Sequence, residues 1–340
     1  MRVLNIHGVD DVRLDPYELP EAGPGDVVIR MKACGICGSD LSYIKSGGIN
    51  RPEGGVTAIG HEGAGEVLHV GSDVVGVVPG QPVIINPMMT PSFIGSGGPE
   101  GAFTEELLVR GAELGTNLLP IPDGISYEIA ALCEPLAVAL HGVNRAVVKP
   151  GDKVVVFGCG PIGLGMVLWL VDRGISDVVA LDLSDDRLER AKALGARGVI
   201  NPSREDVRAR LSELHGEAQN LLGMPAVGTD AYIDAAGGPN IISDVIGMAK
   251  GHSRMVVTAA YREAVEFPVG TMLMSEMSIT TAIGYPTEMP EVVAAMPRLR
   301  GKIATLISHR LPFEQVLDGL KIAGTPGSAK VMIEFEGTGA

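Results

Sequence analysis

The sequence predicts an α/β protein. Residues 1–140 form a β-rich, partly barrel-like part, followed by a doubly wound parallel sheet. Three observations carry this. An apolar run, Val154–Phe157, leads into Gly158, Gly160 and Gly163 at the spacing G-x-G-x-x-G and then into an apolar helix. Strand and helix patterns alternate from Lys153 onward, the order that builds a parallel sheet. Before Leu140, short strand patterns are punctuated by Gly and Pro, as in open β-barrels.

Taken in order, the first part has strand patterns at 26–31, 65–70 and 81–85, separated by the turn clusters Gly23-Pro24-Gly25 and Pro79-Gly80-Gln81-Pro82. Within it lies Cys34-Gly35-Ile36-Cys37-Gly38-Ser39-Asp40, and further on Gly60-His61-Glu62-Gly63. A C-x-x-C pair serves redox chemistry when it opens a helix after a βαβ strand, and this one does not. A metal reading needs further ligands, and His61 and Glu62 are candidates. Thiolate, imidazole and carboxylate are the set that zinc accepts. On its own, His61 reads better as a hydrogen-bonded core histidine than as a ligand.

The β-branched run Val154–Phe157 suits a strand buried on both faces. Of the glycines after it, Gly158 permits a tight turn, Gly160 lets a pyrophosphate approach the backbone, and Gly163 lets the helix pack on the strand. Pro161 sits where a first helical turn needs no N–H donor. Gly158, Gly160, Pro161, Ile162 and Gly163 are therefore the candidate phosphate-contacting stretch. The helix over 162–173 stops near Gly174, and a second apolar strand, 178–182, ends at Asp182. An acidic residue about 20 positions beyond the glycines hydrogen-bonds the ribose 2′-hydroxyl of NAD and repels the 2′-phosphate of NADP. Arg187 lies near enough to accommodate a 2′-phosphate, and also reads as a solvated residue of the helix 185–194. Further strands are expected at 198–200, 230–235 and 254–259, with helices at 204–215 and 239–249. The turn Gly237-Gly238-Pro239 falls beyond the carboxyl end of a strand, where ligands of such sheets bind. After Pro286 the pattern becomes two helices, 292–300 and 314–323, and a last strand, 329–335.

Composition narrows the function. The 340 residues are 46% apolar and 20% charged, and 27 Lys plus Arg stand against 41 Asp plus Glu, for a net charge of -14. Without a basic run, neither nucleic acid nor an anionic membrane surface is an expected partner. The longest apolar stretch, Ile162–Val171, is too short to span a bilayer. Four cysteines make no disulfide framework, so a reducing, cytoplasmic setting is expected.

Four segments in this order, G-I-C-G-S-D, G-H-E-G-A-G-E-V, C-E-P-L-A-V-A-L-H-G and G-C-G-P-I-G-L, resemble the zinc-dependent medium-chain dehydrogenases. The resemblance is strongest to the branch of sorbitol, butanediol and threonine dehydrogenases, and it covers essentially the whole chain. It implies a GroES-like catalytic domain over 1–140 completed by 287–340, a Rossmann NAD-binding domain over 141–286, and a homodimer or homotetramer. Residue by residue, it matches Cys37 and His61 to zinc ligands and Glu62 to a carboxylate that ligates zinc in the polyol branch. Glu134 matches a second carboxylate, binding zinc directly or through its water. Cys34 and Cys133 match no ligand. Ser39 is expected to take the alcohol proton, and otherwise reads as a helix-capping serine; Asp40 is expected to orient His61. Ser42 stands where relatives often place a histidine that ends the proton path.

Tyr43 and Phe103 match pocket-lining positions. Near Ile283-Gly284-Tyr285 an arginine that binds hydroxyls in sorbitol dehydrogenases is replaced, which points to a less hydroxylated substrate and makes Tyr285 a third pocket candidate. The loop 86–101 holds none of the four cysteines that bind a structural zinc in many relatives, so one catalytic zinc per subunit is expected. The implied reaction is reversible oxidation of a secondary alcohol to a ketone with NAD. A zinc-free enone or quinone reductase on the same fold, and a non-catalytic NAD-binding protein, are the alternatives.

Overall fold

The structure, a computed structural model, describes residues 1–50 and 55–335. It divides into two compact units, Met1–Pro135 with Met289–Ala340, and Leu136–Glu288. The boundary falls inside the helix Cys133–Arg145.

The Leu136–Glu288 unit is built on one six-stranded sheet, in which every pairing is parallel. Across it the strands run Gly198–Ile200, Asp177–Leu181, Lys153–Phe157, Ala231–Asp234, Arg254–Val257 and Ser278–Thr281. The first strand in sequence, Lys153–Phe157, thus lies between the second and the fourth. The order reverses there, and beyond the carboxyl ends at that point such sheets bind their ligands. Val154, Val155 and Val156 have no exposed surface, as a two-sided strand requires. The helix Pro161–Asp172 is buried from Gly163 through Leu170. Two expected helices are shorter than their patterns: Asp206 caps Val207–His215 by accepting from Ala209 N, and the other is Ile241–Met248. The edge strand Ser278–Thr281, the helix Val269–Leu273 and the hairpin Glu217–Gln219 with Pro225–Val227 had no counterpart in the sequence reading.

The other unit carries a seven-stranded sheet. Its path runs Ile307–Pro312, Lys330–Glu334, Val27–Gly35, Glu62–Val70, Pro82–Ile85 and Leu118–Pro120, with Glu106–Val109 also on Val27–Gly35. A smaller sheet joins Asp11–Pro16, Arg2–Gly8 and Thr57–Ala58. The C-terminal tail is integral to the larger sheet: Lys330–Glu334 runs antiparallel to Val27–Gly35, pairing Met332 with Gly35 and Ile333 with Cys34. Val331 and Ile333 are fully buried, each worth about 1.5–3 kcal/mol of apolar burial. They share a core with Ile29, Met31, Ile85, Phe103 and Phe313.

Candidate functional site

Cys37 follows the strand Val27–Gly35 by two residues and is the N-cap of the helix Gly38–Ser46. Its backbone N–H donates to Asp40 Oδ2 at 2.9 Å, which closes the first turn and fixes where the thiol stands. The second Asp40 oxygen, Oδ1, accepts from Gly60 N–H at 3.3 Å and lies 3.6 Å from His61 Nδ1. One buried carboxylate therefore ties together the two segments that carry Cys37 and His61. On the other side of the imidazole, Nε2 is 3.5 Å from Ser39 Oγ.

Cys37, His61 and Glu62 each offer a ligand atom, and all three lie within 4.8 Å of one another. Glu134, in the first turn of Cys133–Arg145 and 8% exposed, is not part of that group, but its charge acts on it. Burial by itself would lower the pKa of His61; the charges of Asp40, Cys37 and Glu134 outweigh it and raise the imidazole well above its ordinary value. Asp40 is raised, chiefly by burial. Several acidic groups thus face the imidazole, an environment that a divalent cation would neutralise. Soft thiolate, imidazole and carboxylate fit zinc in particular. Cys34 and Cys133 are fully buried, and burial pushes both thiols up, so neither offers a thiolate.

Lys330 is the residue that the sequence reading missed. It is 1% exposed, and its ammonium contacts both Glu62 oxygens at 2.5 Å and Ile36 O at 2.9 Å. Burial disfavours its charge, but Glu62 and Cys37 more than offset that and raise its pKa. Glu62 is therefore at once a member of the ligand group and the counter-charge of a buried lysine. Gly35 makes room for this, since a Cβ there would come within 2.0 Å of Glu62 Oε2.

Two of the three pocket candidates are deeply buried. Phe103 has no exposed surface; its ring packs against Gly60, where a Cβ would meet it at 2.6 Å, so it belongs to the core beneath the ligand segment. Tyr285 is 3% exposed. Tyr43 is half-buried on the helix Gly38–Ser46, against the core.

In the Leu136–Glu288 unit, Gly158 turns the chain with φ +88°, and its N–H donates to Leu181 O at 2.7 Å. A Cβ on Gly163 would sit 1.8 Å from Gly158 O, so only glycine lets the helix approach this closely. A Cβ on Gly160 would meet nothing within 4 Å, which leaves the backbone open to a ligand at the helix N-terminus, as a pyrophosphate requires. Pro161 and Ile162 begin that helix. Asp182 Oδ2 accepts from Cys159 N–H at 2.7 Å and Oδ1 from Ser184 N–H at 2.8 Å. The carboxylate is thereby fixed at the strand end with lone pairs to spare. Arg187 stands 3.9 Å from it.

Comparison with known proteins agrees with these two centres. The profile of the alcohol dehydrogenase GroES-like domain matches residues 23–123, and that of the zinc-binding dehydrogenase matches residues 161–298. The chain is 31% identical over 341 residues to (R,R)-butanediol dehydrogenase of Bacillus subtilis, covering 94% of each chain. It is 30% identical over 354 residues to sorbitol dehydrogenase of Rattus norvegicus, covering 98% of this chain and 95% of that one. The crystal structure of 2R,3R-butanediol dehydrogenase from Bacillus subtilis superposes with a TM-score of 0.86 at 29% identity, over 98% of this chain and 99% of that one. With the thiolate–imidazole–carboxylate group in one unit and the glycine turn in the other, the chain belongs to the zinc-dependent medium-chain alcohol dehydrogenase family, oxidoreductases that act on the CH–OH group of their donors.

Proposed function

We propose that this protein oxidises a secondary alcohol, a diol or polyol or a bulkier alcohol, reversibly to a ketone with NAD, using one zinc ion per chain. The observation that carries the reading is the buried group Cys37, His61 and Glu62, whose ligand atoms lie within 4.8 Å of one another. These three would hold the ion; Glu134 acts on the same centre through its charge. When bound, zinc supplies Lewis acidity that makes the alcohol proton labile near neutral pH, and NAD accepts the hydride.

The chain's own residues do the rest. Ser39 Oγ, beside His61 Nε2, takes the alcohol proton by hydrogen bond while passing its own hydroxyl proton onward, and its partial exposure gives that proton a way out. Asp40 Oδ1, 3.6 Å from His61 Nδ1, faces the imidazole from behind and would orient it once that contact tightens on ion binding. The open backbone at Gly160 and the N-terminus of Pro161–Asp172 receive the pyrophosphate. Asp182 accepts from the ribose hydroxyls, which favours NAD over NADP.

The names of the relatives, butanediol and sorbitol dehydrogenase, support a diol or polyol. The missing arginine near Tyr285 favours fewer hydroxyls. The test is NADH formation by the purified protein with 2,3-butanediol, sorbitol, threonine, simple secondary alcohols and bulky aryl alcohols, with and without chelator. Chelator-sensitive turnover on one class is the expected result. Turnover that survives full removal of zinc would favour the zinc-free reductase, and NAD binding with no turnover on any class the non-catalytic reading.

The protein is further proposed to work in the cytoplasm as a homodimer or homotetramer. Among the described residues no helix is long and apolar enough to cross a membrane. Ser278–Thr281 ends the six-stranded sheet, and Leu222, Val269 and Leu273 are all more than half exposed in the same unit. An unpaired edge strand and exposed apolar residues in one unit suit pairing with a second copy. Light scattering that gave the 35.4 kDa monomer mass would refute the oligomer.

A further inference from the structure

The segment Ile94–Phe103 wraps the two residues that precede His61. Ala102 N–H donates to Gly60 O at 2.8 Å, Phe103 N–H to Ile59 O at 3.2 Å, and Ser96 bridges Ile59. The fit leaves no slack: a Cβ on Gly95 would lie 2.0 Å from Gly60 O, and one on Gly101 would lie 2.5 Å from Ile59 O. With Asp40 on Gly60 N–H and Ala102 on Gly60 O, both backbone polar groups of that residue are held. The position of His61 is therefore only as definite as the position of this segment.

The segment itself is held by a buried charge. Glu100 is 2% exposed, its backbone carbonyl accepts from Gly95 N–H at 2.7 Å, and its Oε1 accepts from Arg110 Nε at 2.7 Å. Its other oxygen is buried with no hydrogen-bond partner among the described residues. A carboxylate half-satisfied in this way is costly to keep out of water, so Arg110 governs whether Glu100 stays in place. Arg110 directly follows the strand Glu106–Val109, which is paired to Val27–Gly35, so the anchor belongs to the main sheet.

We propose that the Glu100–Arg110 pair is a positioning device for the metal centre: it braces the segment Ile94–Phe103 against Ile59-Gly60 and so fixes the geometry at which His61 meets the ion. The proposal rests on the zinc reading above. Glu100 and Arg110 touch neither ion nor substrate; they act through the backbone of Gly60.

The test is zinc affinity of the full chain, measured by competition with a chromogenic chelator, alongside thermal unfolding of the zinc-free protein. Arg110→Met should weaken zinc binding about 10- to 100-fold, the range seen when a ligand's supporting contacts are removed. Arg110→Lys, which keeps the charge, should recover most of that loss. Gly95→Ala presses on Gly60 directly and should weaken binding comparably, which keeps the test alive if Arg110→Met does not fold. Val179→Ala, in the core of the other unit, should lower the unfolding temperature with zinc affinity unchanged. Wild-type affinity in folded Arg110→Met or Gly95→Ala overturns the brace. If wild-type protein binds one zinc that Cys37→Ser loses, the metal reading stands whatever the brace variants do. If wild-type protein binds none, both fall.

Discussion

Replacing Lys330 by Met should destabilise the zinc-free protein by about 3–5 kcal/mol, the cost of leaving one partner of a buried ion pair without the other. Glu62 has no exposed surface, and both its oxygens are held by the lysine ammonium at 2.5 Å. The substitution also strips Ile36 O of a donor. Met fills much the same volume as the lysine stem, so the loss reads charge and hydrogen bonding rather than a cavity. The measurement is urea unfolding followed by far-UV circular dichroism, in chelator. The double variant Glu62→Gln/Lys330→Met removes both charges and should lose far less than the two single variants together, because neighbours in one pair are not additive. Zinc should restore part of the loss in Lys330→Met by giving Glu62 a new counter-charge, and none of it in the double variant. A loss under about 1 kcal/mol in Lys330→Met, or strict additivity in the double, would refute the assignment of Lys330 as the partner that makes a buried Glu62 tolerable.

Other outcomes follow from the same geometry. Ser39→Ala should lower kcat by about 10²- to 10⁴-fold, the usual worth of a positioned proton acceptor, with zinc content unchanged. Asp182→Ala should raise KM for NAD by about 10-fold or more and narrow its advantage over NADP, since a hydrogen bond to a charged acceptor is worth about 1.5–3 kcal/mol; equal KM values in variant and wild type would remove Asp182 from the cofactor site. Burial holds His215 at about 4, below its ordinary 6.5. The unfolded chain therefore takes the proton first, and the stability of that unit should be lost as pH falls from about 6.5 to about 4, by up to about 3 kcal/mol. Trp169, the single tryptophan and a residue of that unit, reports this by fluorescence, and His215→Gln should flatten the slope.

What was legible in the sequence was what is local. The glycine turn shows because each glycine answers a requirement of its immediate neighbours: a positive φ at Gly158, open space at Gly160 and a 1.8 Å approach at Gly163. The apolar strands show because burial on both faces leaves no room for polar residues. Ser278–Thr281 does not show, because an edge strand that is partly exposed can be S-I-T-T and read as a loop. The hairpin around Asn220 does not show because its two strands are only three residues each, too short for an alternating pattern. Phe103 illustrates a different limit. The resemblance matched it to a pocket-lining position; that its ring packs against Gly60 depends on how the 94–103 segment folds back, which no spacing rule records.

Lys330 marks the deepest limit, because its role depends on strand register across 268 positions of sequence. Nothing in A-K-V-M-I-E distinguishes this lysine from a solvated strand residue. The pairing of Met332 with Gly35, and of Gly35 with Glu62, sets these three in one row, and Lys330, two residues from Met332 and so on the same face, reaches across Gly35 to Glu62. Gly35 lies between the two charged residues, and its missing Cβ leaves Glu62 the space it occupies. A slip of one residue in the tail would turn the lysine to the opposite face of the sheet and leave Glu62 buried and unpaired. The tail's register therefore sets the charge beside the candidate ligand group as well as extending the sheet. The residue that makes a buried Glu62 tolerable comes from the last described strand.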